Sequence, residues 1–198
     1  MEDLTENSMF TINFTHSEQS FRSLAHMQYD LFCRRSQFLR LVIAITTIFI
    51  GVIYAGTWWS YLLIAYGTFT ILGKYNRVNH TANKLVKTLE DEGLPFPSSI
   101  YVFTDNRIRV FSEIDGEELT PLYYKDVLTL AQDRENYFIF KNEAGGYIVP
   151  KEQLQDKKNE FAEFIQSKTG KIIVGKRTPA LKVFLHEYKK RKNSPYHL

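Results

Sequence analysis

Between Leu41 and Gly73 the chain contains no Lys, Arg, Asp, Glu or His. As one helix these 33 residues would extend about 50 Å at ~1.5 Å per residue. The hydrocarbon core of a bilayer is about 30 Å thick and takes about 20 residues to cross. A single straight span is therefore too long, and tilt absorbs only part of the excess. Two spans of roughly 17 residues fit, at the short end of the range. The middle of the run agrees with a fold-back. In "AGTWWS", Ala55–Ser60, the turn formers Gly56, Thr57 and Ser60 surround Trp58 and Trp59, and Tyr54 and Tyr61 flank them. Indole rings concentrate at membrane–water boundaries, where a hairpin carries them and a single span does not. The sequence predicts a two-helix transmembrane hairpin over residues 38–75, with spans at about 38–55 and 59–75. Burial of the same run as a helical pair in a soluble core is the competing reading.

Charges beside the run set its orientation. Arg34, Arg35 and Arg40 precede it, Lys74, Arg77, Lys84 and Lys87 follow it, and the turn carries none. Basic residues near span ends mark the cytoplasmic side. The expected location is the cell membrane, crossed twice, with both termini cytoplasmic. Arg40 and Lys74 are then placed to snorkel to the near interface, opposite Trp58 and Trp59. No ionisable residue within the run marks a proton relay or ion path. Thr47 and Thr68 are expected at similar depth, each bonding a carbonyl of its own helix more simply than its counterpart. Gly51 and Ala55 form a small-xxx-small pair that permits close helix packing.

Averaged over the chain, composition resembles that of a water-facing protein: 44% hydrophobic, 24% charged, mean hydropathy −0.27. The opening "MEDLTENSMF" is acidic and polar, the reverse of a signal peptide, so export is not expected. Cys33 is the one cysteine, which excludes an intramolecular disulfide. Beside Arg34 and Arg35 its thiol could be activated or acylated, but an ordinary thiol is the simpler reading.

Residues 1–37 read as a strand, "MFTINF" (Met9–Phe14), and a helix from about Ser17. Residues 76–93 read as a linker helix stopped by Gly93 and "LPFP". From Ser99 to Pro150 the pattern turns to short β-rich runs: "SIYVFT", "RIRVFS", "EELTPLYY", "DVLTLA", "NYFIFK" and "YIV". Asp105-Asn106, Asp115-Gly116 and Asn142–Gly146 mark turns between them. Pro150 and Lys151 are expected to open a closing helix with Leu154, Phe161, Phe164 and Ile165 on its apolar face. The fold class expected is α+β: the hairpin plus a small antiparallel, pleckstrin-homology-like (PH-like) β-barrel or sheet closed by that helix. Whether Met9–Phe14 joins it is left open by the sequence.

The stretch "LYYKDVLTLAQDRENYFIFKNEAGGYIVPKEQL" resembles the C-terminal domain of the bacterial YcxB-like family. Tyr124, Val127, Tyr137, Phe138, Ile139, Ile148, Pro150 and Lys151 occupy the matching positions, and two membrane spans upstream are similar to that family's arrangement. The resemblance covers about residues 38–168, with the PH-like domain at 99–168. It implies a fold and no catalytic residues.

Metal and catalytic motifs give little. His16, His26, His80, His186 and His197 form no H-x-x-x-H spacing, and no phosphate loop, dinucleotide fingerprint or G-x-S-x-G is present. Neither enzymatic activity nor a cofactor is expected. Arg107 and Arg109 are candidate phosphate contacts, against the simpler reading of exposed strand arginines. The strongest charge signal is the basic amphipathic tail, residues 171–198. Its eight Lys and Arg against Glu187 give a net +7, leaving −4 for the rest of a chain of net +3. Thr178 and Pro179 are placed to start a helix there, and Leu181, Phe184, Leu185 and Tyr188 form a stripe. Lys189, Lys190, Arg191 and Lys192 follow as possible contacts for anionic lipid head groups. Packing of the same stripe on the β-domain or a partner protein is an equal alternative, and nucleic acid ranks last because no base-stacking platform accompanies the charge. Expected partners are therefore the lipid bilayer and a membrane or cytoplasmic protein. The leading functional expectation is a non-enzymatic membrane-anchored adaptor or regulator. The alternative is an immunity protein shielding its producer from a membrane-active peptide, an analogy that no residue carries.

Overall fold

The change from helical to alternating hydrophobic period near Phe96 separates two kinds of structure. The computed structural model describes residues 8–113 and 116–175, the side chain of Arg77 excepted. It is an α+β structure of two units. Ser17–Pro95 is entirely helical, and the described residues up to His16 and from Phe96 form strands and one helix.

The helical unit holds α1 (Glu18–Phe32), α2 (Arg34–Ile53), α3 (Trp58–Leu72) and α4 (Asn76–Asp91). Ser17 caps α1 as its position suggests. Its hydroxyl accepts from Ser20 N–H at 3.2 Å, and the Ser20 hydroxyl accepts from Ser17 N–H at 2.8 Å. At the other end of the unit, Gly93 takes φ +64°. There Leu94 N–H donates to Leu89 C=O at 2.9 Å and Gly93 N–H to Glu90 C=O at 3.1 Å. This double closure satisfies carbonyls that the helix leaves open, and only glycine takes that φ without strain.

α2 and α3 run antiparallel against one another, and their contact is built from small residues. Ala44, Gly51, Ser60 and Gly67 are the buried positions of the pair. A Cβ at Gly67 would lie 2.7 Å from the Ala44 carbonyl oxygen, and one at Gly51 would lie 2.9 Å from that of Ser60. On each helix the two small residues stand two turns apart, so both meet the partner on one face. This corrects the small-xxx-small reading: Gly51 is at the contact, but Ala55 is exposed in the turn. Gly51 also meets Ile64, and Gly67 meets Ile48, so each glycine sits against two positions of the facing helix. The Thr47 hydroxyl bonds the Ile43 carbonyl, and that of Thr70 bonds the Tyr66 carbonyl at 2.8 Å.

α2 has 20 residues, a length of about 30 Å. Among the described residues it is the one helix long and apolar enough to cross a membrane. α3 is apolar too, but its 15 residues reach about 22 Å. The second apolar helix therefore stops at Leu72, short of the expected boundary at 75, because Gly73–Tyr75 form a turn. α1 and α4 continue the hairpin as a polar pair, linked by Arg22 to Asn83 at 3.0 Å and His26 to Asn79 at 2.5 Å.

In the other unit, β1 (Phe10–Thr15), β2 (Ser98–Phe103), β3 (Arg107–Ser112) and β4 (Leu122–Tyr123) form one antiparallel sheet in that order. β5 (Thr129–Gln132), β6 (Asn136–Phe140) and β7 (Gly146–Pro150) form a second meander. β8 (Ile173–Gly175) joins β5 in parallel on the far side from β6. β1 does join the β-unit, pairing Phe10 with Phe103 through to Thr15 with Ser98. The expected strand over "EELTPLYY" is reduced to β4 and a bridge at Glu118. Pro121 has no N–H for a ladder, and Tyr124–Asp126 turn into a short 3-10 segment. Among the described residues two sheets of four strands result, and no closed barrel.

Pro150 does not open a helix. It ends β7 at a sheet edge, paired with Asn136, where a missing N–H breaks no ladder. Lys151 is tied to the strands by its N–H to Glu135 C=O at 2.8 Å. Its amine donates to Gln132 Oε1 at 2.9 Å and Asp133 C=O at 2.6 Å. α5 therefore begins only at Lys158 and runs to Thr169. Its Phe161, fully buried, meets Phe103 edge-on at 5.0 Å and Phe10 at 5.2 Å. Leu130, Phe138, Phe140, Ile148 and Ile165 complete the core.

Candidate functional site

The helical hairpin changes character where α1 gives way to α2 and α3 to α4. Below that level apolar side chains cover every face; above it they form one stripe. Cys33 breaks the first helix and Gly73–Tyr75 the second, and a cluster of polar and aromatic groups gathers between the breaks. Lys74 Nζ donates to Asp30 Oδ1 at 2.8 Å, and the Tyr75 hydroxyl donates to Asp30 Oδ2 at 2.9 Å. The His26 ring stacks on Tyr75 with centroids 4.3 Å apart. Gln37 Nε2 donates to the Tyr29 carbonyl at 2.7 Å, and Arg40 reaches the Tyr29 hydroxyl at 3.3 Å.

The charge of this collar is one-sided. No Asp or Glu stands between Asp30 and Glu90, a stretch that carries Arg34, Arg35, Arg40, Lys74, Arg77, Lys84 and Lys87. Asp30, the one acid within the collar, is held by Lys74 and Tyr75 and is part-buried. Beside it lies an open groove of about 710 Å³, with Gln28, Tyr29, Ser36 and Arg40 on one part of its wall and Tyr66 and Phe69 on another. A smaller hollow of about 360 Å³ is lined by Arg34, Arg40 and Lys74, with Phe38 and Leu41.

Arg40 and Lys74 line the same hollow. Trp58 and Trp59 lie at the opposite end, where Trp58 is 75% exposed and Trp59 packs on Tyr54 at 5.2 Å. Sequence reasoning missed Tyr29, Asp30, Tyr75 and His26. The abrupt loss of acids after Asp30 was the signal that could have drawn attention to it. Lys189, Lys190, Arg191 and Lys192 lie outside the described residues, as does the rest of the tail beyond Gly175.

In the β-unit, Arg109 is already engaged. It forms two hydrogen bonds to the Glu118 carboxylate, at 2.8 and 3.0 Å, and its guanidinium lies 4.8 Å from the Phe111 ring centroid. The bidentate grip holds the Glu118 carboxyl below the usual carboxylate range. Arg107 shares the strand face with it but pairs its backbone with Tyr123. Among the described residues no three His, Cys, Asp or Glu side chains gather in the manner of a metal site.

Fold and site together describe an α+β chain with an apolar helical hairpin, a basic aromatic collar on it, and a two-sheet unit beside it in sequence. No protein-family model matches the chain, and no curated protein does.

Proposed function

We propose that the chain is a non-enzymatic, membrane-anchored adaptor or regulator. A two-span hairpin of α2 and α3 holds it in the cell membrane, and a PH-like unit of the YcxB-like kind works at the cytoplasmic surface. The outer surface of the apolar pair carries this reading. Only Ala44 and Gly51 of α2, and only Ser60 and Gly67 of α3, are buried. Phe38, Phe49, Ile53, Phe69 and Leu72 are each more than half exposed. A contiguous apolar surface of this extent needs lipid or protein over it. Small residues at the contact suit helices associating in lipid, where packing rather than hydrophobic exclusion drives association.

The pairing of β1 with β2 supports a return crossing. His16 N–H donates to Pro97 C=O at 2.9 Å, so the chain leaves and rejoins the β-unit at one place. If α2 crosses, α3 brings the chain back. The shortness of α3 is accommodated by local thinning and by snorkelling of Lys74, and the basic collar favours the cytoplasmic side. Two antiparallel meanders and a packed helix support the PH-like expectation, since such units serve mainly as binding modules.

Labelling tests the topology, because Cys33 is the one cysteine. In sealed cells a membrane-impermeant thiol reagent should leave the native chain unlabelled. It should label a Cys33→Ser, Ala55→Cys variant, whose new thiol is in the turn. The reverse pattern would overturn the two-span arrangement.

A further inference from the structure

We propose that the groove beside the collar binds one membrane phospholipid carrying a net negative head group. The proposal rests on the membrane reading above and adds a ligand to it. A volume of about 710 Å³ lies within the roughly 300–1,000 Å³ typical of ligand sites.

The groove's chemistry is divided as an amphiphile's is. Tyr66 and Phe69, 57% and 67% exposed, present ring surface along the apolar helix α3, where an acyl chain would lie. Ser36 and Arg40 line it from α2, close to the collar. Among the described residues Arg40 is the one charged side chain on the wall, and no acid is among those lining it. A guanidinium has five N–H donors, and among the described residues the partner of this one is the Tyr29 hydroxyl at 3.3 Å. Asp30 does not compensate Arg40, because Lys74 and Tyr75 hold both of its oxygens. The site therefore offers spare donors and uncompensated positive charge at the level where lipid head groups lie. Arg matches phosphate geometry through paired N–H bonds.

The test uses the full-length chain, reconstituted with equal parts of phosphatidylglycerol and phosphatidylcholine and then released into mild detergent for native mass spectrometry. The wild type should retain a single phosphatidylglycerol in preference to phosphatidylcholine by about tenfold, the effect of one charge-assisted contact. Arg40→Gln should bring the ratio close to one, Arg40→Lys should keep most of it, and Ala25→Trp, which narrows the groove, should lower retention of both lipids. Equal retention by the wild type, or an unchanged preference in Arg40→Gln, would overturn the site. Full retention in Ala25→Trp would remove the lipid from this groove. A wild-type chain that fractionates with the membrane yet keeps no lipid defeats this proposal alone, whereas one that stays in the aqueous phase without detergent defeats the hairpin reading.

Discussion

Arg109 and Glu118 show how a residue's neighbours decide its part. In the sequence Arg109 alternates along β3 with Ile108 and Val110 and looks free to meet a phosphate. In the structure Glu118, nine positions further along the chain, takes its guanidinium in a two-point grip. A carboxyl lowered in the folded state contributes stability above the unfolded carboxylate range and loses it as pH falls through the folded value. Both side chains are partly exposed, so the contribution should stay below about 1 kcal/mol. Denaturant titrations of wild type and Glu118→Gln should therefore differ slightly near neutral pH and converge in acid. A difference that grew on acidification would contradict the grip.

At the scale of elements, α2 and α3 approach closely where their glycines meet the facing backbone. A side chain at Gly67 would meet the backbone of Ala44 as well as Ile48, and backbone does not yield as a flexible side chain does. Gly67→Leu should loosen the helical pair by about 1–3 kcal/mol, while Ala55→Leu, in the exposed turn, should stay within about 0.5 kcal/mol. Thermal melts of the detergent-solubilised chain followed by helical circular dichroism compare the two directly. Elements whose limits depend on nearby residues were legible in the sequence. The Ser17 cap, the Gly93 stop and the Asp105-Asn106 turn each declare themselves within a few positions. Elements that depend on distant partners were not. β8 is three residues long and exists by pairing with β5, so no local period announces it. Pro150-Lys151 has the look of a helix start, yet Lys151 is bound to strand residues that sequence reading does not bring beside it. The collar was half legible: its cations were evident, and the partner of Lys74 lies 44 positions away.

Taken whole, the molecule interrupts one unit with another: the helical segment Ser17–Pro95 sits between β1 and the remaining strands. The first strand is no ornament, since Ile12 and Phe14 are 1% and 6% exposed and β1 covers an edge of β2. Deleting residues 1–16 should remove about 3–6 kcal/mol of burial from the β-unit and open that edge. The helical pair, which shares no strand with it, should still partition into membrane. Limited proteolysis after membrane fractionation separates these effects, and a β-unit left equally resistant would show that β1 is dispensable.

The pairing of Thr15 with Ser98 also has a consequence for biosynthesis. The two are 83 positions apart, and ribosomes add about 5–20 residues each second, so the earliest strand waits on the order of 4–17 s for its neighbour to be made. During that interval the first strand is an unmatched ribbon, available to wrong partners. The first strand translated is therefore seated only after the whole helical segment has been made.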